Sequence, residues 1–420
     1  MGVLSAFRKK EDVSALLSQL KDDSIAKRQN ALDKLEKLQI TVEDGLKIIQ
    51  ASKDKYPPLK YEWQDIQAKL IDICSGRPYA EYVDKLDQIF DGLGSQAKLA
   101  VYQFLTTYEN ERALITYLKL LDKEGGKMKR LPTGSLYDRP RFPEILFPRL
   151  LSHARNKDIS DDIYLVLLNY FNSRMITENM IKDYRNSIAE DILNSANEVS
   201  LYMQEKLKGS IWDDEDYMGL RNRAGVHLDL AGYISNPRII LVLRNMMSTG
   251  DMRLKMFAAL SLLRLGEGIE AEDALEIAAD SEMRNWFYNG LQNIGQKEIF
   301  PVQYENQASF AESNMVDWLT YPTELGRVPD RIELMNVFED GENVYYLFRF
   351  RCISDGNWRE EGWMAGVSGP YAKKEEPSTK AGGHTFSRFE KWDSKTPKEH
   401  FASIVGNVKE FWMKRAEELK

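Results

Sequence analysis

Apolar residues recur with the period of a helix through the first 300 residues of the chain and with the period of a strand beyond them. Val13, Leu16, Leu17 and Leu20 fall at i, i+3, i+4 and i+7, one face of a short helix. Asp22-Asp23-Ser24 interrupts it, and Ile25, Arg28, Ala31, Leu32, Leu35 and Leu38 start a second stripe. Residues 11–39 therefore predict one antiparallel helical hairpin. Thr41 is placed to cap the next helix, with Asp44 in its first turn. Less regular pairs follow over 79–93 with 96–107 and over 143–154 with 160–172, and a single helix is expected over 109–121. The stretch 177–208 is longer than one hairpin helix, and Asn194-Ser195-Ala196-Asn197 is expected to kink or end it.

The clearest pattern lies between Gly219 and Gly295. Three segments align on a terminal glycine: GLRNRAGVHLDLAG (219–232), DMRLKMFAALSLLRLG (251–266) and EMRNWFYNGLQNIG (282–295). Arg221, Lys255 and Arg284 each stand eleven places before that glycine, and Leu228, Leu262 and Leu291 four places before it. The glycines are 34 and then 29 residues apart, the size of one helix–turn–helix unit. Asn236-Pro237 opens a helix with proline where its missing N–H costs nothing, and Asp251 caps the partner helix. Beyond Phe300-Pro301 the alternation of Ile332, Leu334 and Phe338, then of Val344, Tyr346, Phe348 and Phe350, predicts two strands joined at Asp340-Gly341. Gly362–Val367 and Thr385–Phe389 predict two more strands, with a helix near 307–320. Thr396-Pro397-Lys398-Glu399 predicts a capped closing helix with Phe401, Ile404, Val405, Val408, Phe411 and Trp412 on one face.

Composition narrows the classes. The formal charge is −8, with 57 Lys+Arg against 65 Asp+Glu, which argues against nonspecific binding to nucleic acid without excluding a local basic groove. Cys74 and Cys352 stand far apart and read as reduced structural thiols. No apolar run is long enough to span a membrane and the first residues show no apolar leader, so a cytoplasmic location is expected. His153, His227, His384 and His400 have no ligand spacing with one another or with a cysteine, so neither metal nor cofactor is expected. The acidic run Asp213-Asp214-Glu215-Asp216 reads as charge placed at the N-terminus of the helix beginning near Tyr217.

Two segments carry candidate binding chemistry. The loop 122–143 holds Lys127, Lys129, Arg130, Arg139 and Arg141, with Tyr137 and Phe142 between them. Such a loop grips phosphate or an acidic partner, or is a solvated insertion with scattered charge. In 356–371, Trp358 and Trp363 are either core residues or aromatic anchors for a partner. Gly362, Gly366 and Gly369 there read as bends in a twisted strand and a turn ending at Pro370. No catalytic nucleophile has a recognisable signature, so no catalytic residue is assigned.

Paired helices of this length, with an early basic residue, small residues such as Ala224 and Ala258 mid-helix and a closing glycine, resemble HEAT-type repeats. In length they are most similar to the short bacterial type found in the bilin-lyase group. The resemblance is specific over 219–295, fair over 11–39 and architectural between 60 and 208. Phe287 departs from the pattern where a small residue is expected, which marks 282–295 as a terminal, capping unit. The expected fold is mainly α, a right-handed α-solenoid of HEAT-like helical hairpins over 1–300, followed by a small α+β domain with an antiparallel sheet over 301–420. The resemblance implies a non-catalytic protein-binding scaffold or regulator, its partner another protein. The alternative it implies is a HEAT-like solenoid enzyme, acting on DNA bases as a glycosylase does or on a bilin-type ligand. Trp212, Asp213, Tyr217 and Arg221 are the raw materials for that alternative.

Overall fold

The computed structural model describes residues 12–61, 64–137, 142–321, 325–351, 362–373 and 386–418. The chain divides between Asn186 and Ser187 into two compact units. Among the described residues it is mainly helical, with seventeen α-helices and one four-stranded antiparallel sheet.

The first unit carries α1 (Val13–Gln19), α2 (Ile25–Lys37), α3 (Val42–Ala51), α4 (Ile66–Ser75), α5 (Ala80–Ile89), α6 (Ser95–Thr107), α7 (Glu111–Glu124), α8 (Pro143–Leu150) and α9 (Lys157–Asn172). The hairpin expected over 11–39 is α1 with α2. Thr41 caps α3 reciprocally: the Asp44 N–H donates to Thr41 Oγ1 at 3.2 Å, and the Thr41 N–H donates to Asp44 Oδ2 at 3.2 Å. Helix α4, a ten-residue helix after the break at Pro57-Pro58 and not among those expected from the sequence, buries Ile66, Leu70, Ile71 and Cys74 at helical spacing. Helix α3 packs on α4 and also on α1 and α5; α4 packs on α2 and α6, and α5 on α7. Alternate helices thus pack in two rows, α1–α3–α5–α7 and α2–α4–α6. Arg28 sits in the apolar stripe of α2 because its guanidinium donates to the carbonyls of Asp22 and Pro58, which satisfies the charge where the stem is buried.

Helix α10 (Arg185–Glu205) is continuous where a kink was expected. Ser195 and Ala196 are buried in its middle, so the small residues there serve close packing and do not break the helix. The second unit continues with α11 (Glu215–Ala231), α12 (Pro237–Met246), α13 (Met252–Arg264), α14 (Ala271–Ala279), α15 (Arg284–Ile294) and α16 (Gln307–Thr320). Helices α11, α13 and α15 pack in a row, with α12 against α13, and α14 against both α13 and α15. The three aligned glycines play two roles. Gly266 and Gly295 take φ of +80° and +74°, the left-handed turn that ends a helix. Gly232 stays right-handed, and a Cβ there would stand 3.0 Å from Ser261 Cα, so its role is close approach of α11 to α13.

The sheet follows in the order β1 (Arg331–Asp340), β2 (Asn343–Arg351), β3 (Met364–Ala372) and β4 (Phe386–Lys391), each strand antiparallel to the next. One face packs on α16, where Met315 and Leu319 meet Phe348 and Phe350. The other packs on α17 (Pro397–Glu418), where Ile404 and Val405 meet Leu347 and Val367. Helices on both faces explain why β2 is buried continuously from Val344 to Phe348, where the sequence pattern suggests one buried face. β3 runs through Gly369-Pro370 to Ala372 and does not turn at Pro370. At Gly366 a Cβ would lie 2.1 Å from Met315 Cε, so this glycine lets α16 approach the strand. Because α16 also packs on α15, one helix serves both the repeat row and the sheet. The change of periodicity near residue 300 therefore falls inside the second unit.

Candidate functional site

The basic loop is built on the first unit. Lys127 ends a 3-10 turn, Gly125–Lys127, and is exposed, as are Lys129 and Arg130. Lys129 Nζ pairs with Asp158 Oδ2 at 2.9 Å. The backbone beneath them is fixed: Asn156 Nδ2 donates to the carbonyls of Gly125 and Met128 at 2.7 and 3.2 Å. The Leu131 N–H donates to Asp162 Oδ2 at 2.9 Å, and the Leu131 and Leu136 side chains are buried. The loop thus presents Lys127, Lys129 and Arg130 from a held backbone. Arg139, Arg141 and Trp358 lie outside the described residues.

Trp363, partly buried at the start of β3, belongs to the second unit. Its ring faces Arg349 and Arg351 of β2, with guanidinium carbons 4.5 and 5.1 Å from the ring centre. Arg349 Nε also donates to Glu333 Oε2 at 2.7 Å. The indole is therefore part of a stacked cation–aromatic ladder across the sheet.

A third cluster gathers the residues of the enzyme alternative. Asp214 caps α11 by accepting from the Tyr217 N–H at 2.9 Å, which sets Tyr217 and Arg221 on one side of that helix. The Arg221 guanidinium is 1 % exposed and lies 5.3 Å from the centre of the Trp212 ring. Its Nε donates to Asp251 Oδ2 at 2.7 Å, and its Nη2 stands 3.5 Å from Glu282 Oε2. Tyr217 Oη donates to the same Asp251 oxygen at 2.7 Å, and Tyr321 Oη donates to Glu282 Oε1 at 2.7 Å. The other oxygen of Asp251 accepts from the N–H groups of Arg253 and Leu254 at 3.0 and 3.1 Å, capping α13. Asp213 is exposed, and its carboxylate stands 3.5 Å from Arg327.

Electrostatics sort these groups. Burial pushes the Glu282 carboxyl above its ordinary value, against the Arg221 charge that favours ionisation. Burial works against the Arg221 charge too, but Asp251 and Glu282 outweigh it and hold the guanidinium firmly protonated. Both oxygens of Asp251 are committed within the cluster. The arrangement ties one helical pair to the next.

The equivalent basic residues do the same work in the neighbouring units. Lys255, 5 % exposed, pairs with Asp273 Oδ1 at 2.8 Å and with Glu276, both on α14. Arg284, 3 % exposed, donates to the carbonyls of Ala278, Ala279 and Ser309 at 2.8, 3.1 and 2.7 Å. The eleven-residue spacing to the glycine is thus the signature of a buried cation that joins neighbouring helices. Glu282 and Tyr321, which sequence reasoning missed, complete that role from 61 and 100 positions along from Arg221.

No family model matches the chain, and no curated protein or solved structure does.

Among the described residues no group of three His, Cys, Asp or Glu side chains is arranged to hold a metal ion, and no helix is long and apolar enough to cross a membrane. Cys74 is buried with its Sγ 3.6 Å from the Gly45 carbonyl, and burial pushes its thiol up to about 12. Native protein is expected to leave Cys74 unlabelled by iodoacetamide at about pH 8, with labelling appearing only in urea. Peptide mass spectrometry checks this, and rapid native labelling would contradict the burial.

Proposed function

We propose that this chain is a non-catalytic protein-binding scaffold or regulator, with HEAT-like helical hairpins arranged as an α-solenoid. The observation that supports the reading is the packing of alternate helices in rows, α1–α3–α5–α7 and α2–α4–α6 in the first unit and α11–α13–α15 in the second. A stack of that kind has more surface than a single compact core requires, and repeat proteins use it for extended recognition. The C-terminal sheet with α17 adds a second contact surface. The commitment of Arg221, Asp251 and Glu282 to one another supports a binding role over an enzyme built on the same residues.

The proposed contacts are Lys127, Lys129, Arg130, Arg139 and Arg141 in the first unit and, as a separate contact in the second, Trp358 and Trp363 as aromatic anchors. Replacing the five basic residues with serine is expected to weaken capture of a protein partner about tenfold. For Lys127, Lys129 and Arg130, which are exposed, replacement should leave the melting temperature within about 2 °C, because exposed charges contribute little to stability. Unaltered capture by the serine variant would remove the loop from the contact surface. A gel shift of duplex DNA by the wild-type chain at low salt would favour the enzyme alternative instead.

A further inference from the structure

The second unit holds a groove of about 770 Å³ between the end of α13, α14 and the segment 296–302. It arises where the row of helices ends. Gly266, at φ +80°, turns the chain out of α13, and after α15 the chain continues in short 3-10 turns, Lys297–Ile299 and Val302–Tyr304. Ile269, Leu275 and Val302 line the groove, with Val302 83 % exposed and Leu275 39 % exposed. A valine so open beside other apolar side chains is a candidate contact.

The charged side chains that line the groove are all acidic. Glu267, Glu270 and Glu298 line it. Glu267 meets Arg244 Nη2 at 3.1 Å, and Arg244 Nη1 donates to the Gly268 carbonyl at 2.6 Å, so the cation at that edge is committed. Lys297 is directed to Glu305 at 2.7 Å. Glu270 and Glu298 have no ion pair among the described residues, and Glu272 adds charge in the first turn of α14. An apolar floor inside an acidic rim selects an apolar segment flanked by cations.

We infer that this groove receives an amphipathic helical segment of a protein partner, its apolar side chains seated on Ile269, Leu275 and Val302 and its Lys or Arg residues against Glu270 and Glu298. The inference rests on the protein-binding reading and adds the chemistry of the partner. The probe is a labelled amphipathic Leu/Lys peptide with leucines at helical spacing, and its Leu/Glu twin, each titrated into the full chain. The Leu/Lys peptide is expected to bind at least about tenfold more tightly than the twin. Leu275→Asp with Val302→Asp should abolish that binding, and Val302→Asp alone, at a side chain 83 % exposed, should weaken it without moving the melting temperature. Glu270→Lys with Glu298→Lys should weaken it about tenfold. Equal binding of the two peptides, no binding of the Leu/Lys peptide, or binding undiminished in the Leu275→Asp/Val302→Asp variant would each overturn the assignment. Capture from lysate separates the two levels. A partner retained equally by wild type and by that variant overturns the groove alone; no partner with either form overturns the protein-binding reading and the groove with it.

Discussion

Replacing Arg221 with methionine is expected to lower the stability of the second unit by about 3–5 kcal/mol, the cost of leaving buried carboxylates without their cation. Arg221 and Asp251 are 1 % and 3 % exposed, and Glu282 is 6 % exposed. Removing the guanidinium leaves Asp251 with the Tyr217 hydroxyl and two N–H donors, and Glu282 with Tyr321. Neither set replaces a charge. Tryptophan fluorescence during urea unfolding measures the loss, and a loss under about 1 kcal/mol would show that the network adds no more than a surface pair. The pH dependence has a definite sign. Glu282 already has a raised pKa, and without Arg221 it rises further. A raised carboxyl favours the folded state when protonated, so the variant's deficit should be full near neutral pH and shrink as pH falls through that raised value. Converting Asp251 to Asn and Glu282 to Gln in the same chain should restore part of the loss, because the orphaned charges disappear. A catalytic role would instead leave the variant stable and inactive.

Phe287→Ala is the second large effect, expected to cost about 3–5 kcal/mol. The ring is fully buried, 6.1 Å between centroids from Phe300. Phe300 in turn meets Tyr288 at 5.0 Å and Phe310 at 6.1 Å, so four aromatic rings join α15 to α16. In the two preceding units Ala224 and Ala258 stand at this position, with a further helix of the row on either side of α13. After α15 the neighbour is α16, which also covers the sheet, and the large ring fills the space between them. Losing it should destabilise the repeat row and the sheet together, read as a single shifted urea transition. A loss under about 1 kcal/mol would mean that the surrounding rings collapse into the cavity.

The hairpins at 11–39 and 219–295, the four strands and the capped closing helix were legible because each rests on local signals: apolar spacing, caps and turn residues. What escaped depends on distance. The partners of Arg221 lie 30 and 61 residues away, and periodicity cannot join them. The glycines look alike in sequence, yet Gly232 serves packing while Gly266 and Gly295 serve left-handed turns. Asn194–Asn197 reads as a break, but burial of Ser195 and Ala196 overrides the weak local propensity. The closing helix was legible, but the alternation of Val344, Tyr346, Phe348 and Phe350 masks Tyr345 and Leu347, the face that α17 buries. Of the candidate contacts, the basic residues were legible as a group, while the asparagine and aspartate that fix their backbone, Asn156 and Asp162, belong to a later helix and its cap.

The most direct test of the protein-binding account is capture by the 420-residue chain from the lysate of its source organism, with the eluate read by native mass spectrometry and by absorbance ratio. The account predicts one polypeptide recovered near stoichiometry and no nucleic acid. Recovery of duplex DNA or of a visible chromophore, with no protein partner, would contradict it.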